Sequence, residues 1–386
     1  MFCEWRRTSF LERIITLANY VDETRYGIGV DLGGTDIKAG LVSSAGDISC
    51  RVVLPTDVEI GGPKVVAARI AEAVRQVLVN AGTTGIDITS KNLESRGEVA
   101  SSLQTDDDVH EIGVGLGAPG LIIAETGVVH FSPNFPGWTD IPLVAYVNAE
   151  LAKLHPAKPD IQTDAHQKYK PILRGMDNDV NAMTLGELHH GAGVGYKSLV
   201  ALTLGTGVGG GVVIDGKVYH GSRNTAGELG HTVVEPNGRV CGCGNPGCLE
   251  AYAGAKNIVE RVRDKIEDGW RSSLVSDPVA DGVALTPRMI AEAAEAGDEL
   301  AIEIFAETGR YIGIALTSIA HILNPQIAII GGGIAEAGET LLFEPIRKEL
   351  SKRAMDIPAQ MKIVKAHLGN DAGIVGAAML ALENTH

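Results

Sequence analysis

Apolar and polar positions along the chain switch repeatedly between two periods. The run "YGIGV" at 26–30 is short, unbroken and apolar, and it ends on Asp31 and a pair of glycines. This is the pattern of a buried strand entering a turn. "IKAGLVSSAGDISCRVVLP" (37–55) predicts two more strands joined by a Ser/Gly turn. "VVAARIAEAVRQVLVNAG" (65–82) has helical spacing and ends on Gly82, the expected C-cap. A polar stretch, 83–111, reads as an exposed excursion, after which "IGVGLGAPG" (112–120) resumes a strand and ends in a Gly-Pro turn. "VNAMTLGELHHG" (180–191) predicts a helix for which Asp179 is a candidate N-cap.

The second half repeats this layout. "SLVALTLGTGVGGGVVIDGKVYHG" (198–221) is again strand, glycine turn, strand, polar turn, strand, with few identical residues. A period this long points to a duplicated α/β unit rather than a solenoid. Further on, "RYIGIALTSIAHILNP" (310–325) predicts a helix and "QIAIIGGGI" (326–334) a strand entering a third glycine turn. "GNDAGIVGAAMLALEN" (369–384) predicts a turn and a helix of small residues. Two lobes, each with a glycine hairpin, are expected to face each other across a cleft. Ligands in such folds bind beyond the carboxyl ends of the strands, where all three turns fall.

Composition narrows the partners. The chain has 386 residues and a net charge of −15, with no Lys/Arg cluster. That argues against nucleic acid or an anionic membrane as partner. No apolar run is long enough to span a bilayer. The N-terminus lacks the continuous apolar core of a signal peptide. Phe10, Leu11, Ile14, Ile15, Ala18 and Val21 fit a short amphipathic helix, so 1–24 is read as an N-terminal extension. Five cysteines, an odd number with three of them between 241 and 248, do not suit a disulfide framework. A reducing, cytoplasmic location is expected.

The glycine turns suggest phosphate chemistry. Glycine lets backbone N–H groups approach phosphate oxygens closely. Gly33, Gly34 and Thr35 in the first half and Gly205, Thr206 and Gly207 in the second are placed to hold a polyphosphate, with Gly332 and Gly333 in the third turn. Neither hairpin is a Walker A loop or a G-x-G-x-x-G opening a long helix. Asp31 would repel a phosphate unless a cation lay between them, so it reads as a Mg²⁺ site acting through water. His231, Cys241, Cys243 and Cys248 form a second chemical cluster. Three thiolates and one imidazole make a closed tetrahedral Zn²⁺ set, which is structural rather than catalytic.

With these motifs in view, the chain resembles the ROK family (repressors, open reading frames and sugar kinases) over roughly 25–384. "DLGGTDIK", ending on Lys38, is similar to the family's first phosphate motif and "LGTGVGGG" to the second. "GELGHTVVEPNGRVCGCGNPGCLE" (227–250) is similar to its signature. "SPNFPGW", "DNDVNA" and "LNPQIAIIGGGIAEAGE" fit the bacterial glucokinase branch. The resemblance implies a two-lobed actin/hexokinase-like ATPase fold (ribonuclease H-like) with the active site in the cleft. The lobes are expected at 25–133 plus about 369–386, and at 134–368, the larger one carrying the zinc loop.

The resemblance also implies ATP-dependent phosphorylation of the 6-hydroxyl of glucose. Asp179 is then the general base, and Asp177 an adjacent alternative that points the other way if the segment is extended. Asn134, Asn178, Asp179, Glu228, His231 and Glu250 line the sugar pocket, with Gly117, Pro119 and Gly120 shaping its floor. His231 would hold zinc with one ring nitrogen and face sugar with the other. A homo-oligomer, dimer or tetramer, is implied. The alternatives are a kinase for N-acetylglucosamine, N-acetylmannosamine, fructose or mannose, or a non-catalytic sugar-sensing regulator. The short N-terminal segment, with no room for a winged helix-turn-helix, and the intact Asp179 favour the enzyme. A cytoskeletal or chaperone ATPase fails on the zinc signature. ATP is favoured over polyphosphate as donor.

Overall fold

The structure is a computed structural model described for residues 24–84, 86, 110–154, 169–275 and 284–383. The expected amphipathic helix at 10–21 and most of the polar segment 83–111 lie outside the described residues, as do 155–168. Two five-stranded mixed sheets dominate, and they share one strand order. In the first, β1 (Tyr26–Leu32), β2 (Asp36–Ser43) and β3 (Ile48–Pro55) form an antiparallel meander. β4 (His110–Ala118) and β8 (Tyr169–Asn178) add on the other side of β1 in parallel, giving the order β3-β2-β1-β4-β8.

Between them a small three-stranded sheet holds β5 (Leu121–Ile123), β6 (Val128–Phe131) and β7 (Thr139–Ile141). The second large sheet repeats the design. β9 (Leu199–Leu204), β10 (Val208–Ile214) and β11 (Lys217–Val218) form the meander, and β12 (Ile327–Gly331) and β13 (Lys362–Lys365) add in parallel, in the order β11-β10-β9-β12-β13.

The helices follow from apolar spacing. α1 (Val58–Thr84) buries Val66, Ile70, Val74, Val77 and Leu78 on the first sheet and is broken near its start at Gly62. It runs past the expected cap at Gly82. The hydroxyls of Thr83 and Thr84 donate to the Asn80 carbonyl, and Thr84 also to Ala81, so the last turn is satisfied without a glycine cap. α2 (Leu143–Leu151) packs beside it. α3 (Asp179–His190) leads from β8. α4 (Glu250–Ala253) and α5 (Ala255–Glu267) follow the cysteine loop. α6 (Pro287–Glu295) and the long α7 (Glu299–Leu323) cover the second sheet, with α8 (Glu344–Arg353) behind. The chain ends in α9 (Ala372–Glu383).

One expected boundary moves. The unit built on the first sheet does not stop at 133, because β8 is its fifth strand, paired with β4 from His110↔Tyr169 to Ala118↔Asn178. Phe135, Trp138, Leu143, Val147, Leu151, Leu173 and Met176 share a buried core with Ile28 and Val30. A cut at 134 would split that core.

The two halves meet through small residues. A Cβ on Gly29 would lie 1.9 Å from the Ile374 carbonyl oxygen, and one on Gly115 would lie 1.8 Å from that of Ala377, so α9 lies directly on β1 and β4. On its other face a Cβ on Gly376 would be 1.6 Å from the Ala182 carbonyl oxygen, so α3 packs equally close. α3 in turn meets β10: Val180 lies over Gly209 and Thr184 over Gly211. This stack brings the carboxyl end of β8 to the mouth between the sheets.

Candidate active site

The strand ends converge as the α/β layout requires. β1 ends in the turn Gly33–Thr35, closed by the Gly33 N–H donating to the Asp36 carbonyl at 2.9 Å. The buried Thr56 braces it, its hydroxyl donating to the Gly33 carbonyl at 2.8 Å and its N–H to that of Thr35 at 2.8 Å. Asp31 sits beneath this turn. Its carboxylate lies 4.0 Å from Lys38 Nζ and directly against Gly373 of α9. Burial pushes its pKa up, against the opposing pull of Lys38. Asn134 stands beside Gly34, whose Cβ would lie 3.6 Å from the Asn134 amide nitrogen.

Asp179 faces the same space. Burial raises its pKa to about 7, and the negative charge of Asp31 adds to the effect. Gly117, at the end of β4, lets the chain pass close by: its Cβ would be 3.6 Å from the Asp179 Cα. Asp179 is the first residue of α3 and not its cap. Asn178 is the cap, its Oδ1 accepting from the N–H groups of Val180 at 2.9 Å and Asn181 at 3.3 Å. The Asn178 Nδ2 donates to the Gly120 carbonyl at 3.0 Å, which ties the cap to the Gly-Pro turn. Gly120 has φ 110, a conformation that requires glycine. Pro119 is buried beside it in the chain.

Asp177 points away from Asp179. It is 5% exposed and accepts from the Asn178 N–H at 2.7 Å, from Asn181 Nδ2 at 2.9 Å and from His220 Nε2 at 2.6 Å.

The second glycine turn opens on a cavity of about 630 Å³ lined by Gly205, Ala255, Thr286, Arg288, Gly333 and Glu336, among others. The Gly205 N–H donates to the Gly207 carbonyl at 3.0 Å, and the Ala255 N–H at the start of α5 to the Gly205 carbonyl at 2.9 Å. Gly332 has φ 89 and packs on the end of β9, leaving Gly333 open to the cavity.

The four metal-ligand candidates come together, all ligand atoms within 4.8 Å of one another. Cys241 Sγ lies 3.7 Å from His231 Nδ1 and Cys243 Sγ 3.7 Å from Cys248 Sγ. An ion held at roughly 2.3 Å by tetrahedral thiolates implies S–S edges of about 3.8 Å, so the set fits Zn²⁺. His231 turns Nε2 the other way, 4.0 Å from Glu228 Oε2. Glu250 joins this cluster to the second turn: Oε1 accepts from Cys241 Sγ at 3.3 Å and Oε2 from the Val208 N–H at 3.0 Å.

A family model described as "ROK family" matches residues 160–384. The chain is 36% identical to a glucokinase of Halalkalibacterium halodurans over 92% of this chain and 94% of that one. The chain belongs to the ROK family. It is also 39% identical to a glucokinase of Thermotoga maritima, over 92% and 97% of the two chains. Among solved structures, a ROK glucokinase of Streptomyces griseus in complex with glucose and AMPPNP aligns with TM-score 0.68 at 30% identity, covering 93% of this chain and 99% of that one. The two-lobed, ATPase-like sugar kinase fold expected from the sequence is the ROK fold seen here. No helix among the described residues is long and apolar enough to cross a membrane.

Within this ROK frame, the structure gathers Asp31, Gly33, Gly34, Lys38, Asn134, Gly117, Gly120, Asn178 and Asp179 around one strand-end site. It sets Gly205 and Gly333 on the large cavity, with Thr206 and Gly207 in the adjoining turn. Glu228 and His231 stand together on the cysteine loop. Glu250 stands between the cysteine loop and the second glycine turn, its Oε2 accepting from the Val208 N–H and its Oε1 lying beside Cys241 Sγ. Sequence reasoning missed Thr56, His220 and the cavity residues Thr286, Arg288 and Glu336. They come from loops and helix starts that carry no periodic signal. Asp177 was legible only as the neighbour of Asp179.

Proposed function

We propose that this ROK chain is an ATP-dependent glucokinase that makes glucose 6-phosphate, with Asp179 as general base. The observation that carries the reading is the convergence of two buried acids, Asp31 at the end of β1 and Asp179 just after β8, with Gly117 and Asn134 under a glycine turn; burial and the charge of Asp31 push the Asp179 pKa up. A base poised near neutral pH suits removal of a hydroxyl proton. The names of the relatives, glucokinases at 36% and 39% identity over most of the chain, point to the same reaction.

In this mechanism the sugar lies against Asn134, Asn178, Glu228, Glu250 and the Nε2 face of His231, whose amides, carboxylates and ring nitrogen suit paired hydroxyls. Asp179 accepts the proton of the 6-hydroxyl as that oxygen bonds to the γ-phosphorus and the bond from phosphorus to the β-phosphate oxygen breaks. The turns Gly33–Thr35 and Gly205–Gly207 offer backbone N–H groups to the phosphates, and the cavity beside Gly333 takes the nucleoside. Asp31 would hold Mg²⁺, which would supply neutralisation of phosphate charge. His231, Cys241, Cys243 and Cys248 would hold Zn²⁺, which would fix the loop carrying Glu228. Closing the cleft excludes water from the transferring phosphoryl group.

ADP release with Mg-ATP across glucose, mannose, fructose, N-acetylglucosamine, N-acetylmannosamine and no sugar tests the reading. Strong release with glucose is the expected result. Preference for an acetylated sugar moves the substrate and keeps the mechanism. No release with any sugar from zinc-loaded protein overturns the proposal in favour of a sugar-sensing regulator.

A further inference from the structure

Asp177 is a buried carboxylate that the mechanism above does not use. It lies on the same strand end as Asn178 and Asp179, and its two oxygens serve different purposes. Oδ1 fixes the site's own backbone, accepting from the Asn178 N–H and from the Asn181 side chain at 2.7 and 2.9 Å. Oδ2 reaches out of the first sheet to His220 Nε2 at 2.6 Å. His220 belongs to the second half of the molecule. It follows β11 and opens the segment that runs to Glu228 and His231.

That segment is a closed loop. The Ala226 N–H donates to the His220 carbonyl at 3.0 Å, Gly221 (φ 71) packs on Ala226, and Gly227 (φ 96) rests on the Gly210 carbonyl of β10. A second tie crosses in the same direction, from Asn224 Nδ2 to Glu125 Oε2 at 2.6 Å, in the turn between β5 and β6. The loop is therefore anchored on the second sheet at one end and on the first-sheet side at two points. The bond to Asp177 also raises the His220 pKa, which favours the form that donates from both ring nitrogens.

We propose that His220 is a positioning residue: through Asp177 it holds the loop bearing Glu228 and His231 in register with the strand end bearing Asn178 and Asp179. The half-pocket on the loop and the half-pocket on the strand come from different sheets, and this bond sets their spacing. The consequence for hexose binding rests on the glucokinase reading, whereas the latch itself does not. A broken latch leaves Asp179 on its helix and the nucleotide cavity untouched. The cost then falls on sugar binding rather than on the chemical step or on ATP.

The test uses the zinc-loaded full chain with His220→Ala, His220→Gln and Asn224→Ala. Backbone hydrogen exchange of 177–182 and 219–231 is read without ligands, and steady-state constants are read for glucose and ATP. His220→Ala is expected to speed exchange in both segments and to raise KM for glucose about tenfold with kcat and the KM for ATP nearly unchanged. A carboxamide still donates to Asp177, so His220→Gln is expected to restore much of both effects. Asn224→Ala, on the exposed part of the loop, gives a smaller rise in the same constant. Unchanged exchange at 177–182 and 219–231 in His220→Ala overturns the latch. So does an unchanged KM for glucose in an active enzyme, or a uniform loss in kcat and both KM values that His220→Gln does not rescue. If the wild type turns over no hexose, the glucokinase reading falls and the exchange data alone decide the latch.

Discussion

Asp179 shows how one residue's surroundings set its charge. In an open chain its carboxyl would lose its proton near 3.8. Here burial and the charge of Asp31 hold it at about 7. Between those values the folded protein binds one proton more than the unfolded chain, so stability falls as pH rises through this window. A shift of that size amounts to a loss on the order of 4 kcal/mol above pH 7. Asp179→Asn removes the penalty. The metal-free variant is expected to melt above the wild type at pH 8 and level with it near pH 3.5, as calorimetry would show. Equal melting at both pH values would mean Asp179 is not held protonated. The same variant is expected to keep glucose binding and lose roughly 10²- to 10⁴-fold in turnover, the usual contribution of a general base. Wild-type activity falls as pH drops below the value at which the base carries its charge.

At the scale of the element, the cysteine loop is the part the sequence marks most plainly. It has almost no regular structure of its own, only the short turn Leu229–His231 and isolated bridges between Val233 and Cys248 and between Val240 and Pro246. Leu229, Val234 and Leu249 tie its two ends into the core of the second half, while 242–246 between the cysteines are exposed, so joining the ligands would order the stretch that burial does not. Cys248→Ser, or chelation of the wild type, is expected to remove bound zinc by elemental analysis and to abolish hexose-dependent ADP release together. A metal-free protein with full activity would refute the structural role. The glycine turns were equally legible, because the same strand-turn-strand layout recurs in both halves and a third glycine turn follows a strand. The cap of α3 was not. Asn178 and Asp179 are both good cap residues, and only the exit angle of β8 decides that Asn178 caps while Asp179 enters the helix.

For the whole molecule, the decisive feature is that α3 and α9 belong to both halves. Gly29, Gly115 and Gly376 let these helices approach the backbone of their neighbours far more closely than any side chain would permit. Glu187, fully buried on α3, accepts from the N–H groups of Ala192, His367 and Leu368, which pins the loop after β13 to the same helix. Coupling of this kind predicts one unfolding transition. Glucose at a hundred times its Kd is expected to add about 2.7 kcal/mol to it. Two transitions in a thermal scan, with glucose shifting only one, would show that the halves unfold separately.

The local pattern of the chain determined β1 to β4 and β9 to β12, the turns between them, the duplicated layout, the His/Cys cluster and the acids at the strand ends. Each is written in contiguous residues, through alternation, glycine placement or ligand spacing. Only the tertiary structure decided that β8 completes the first sheet, that Glu250 bridges the cysteine loop to the second glycine turn, and that His220 reaches Asp177. These depend on pairings between residues far apart in the chain. Hydrophobic patterning says which face is buried but not which distant element covers it, and a polar side chain in a loop carries no period to announce its partner.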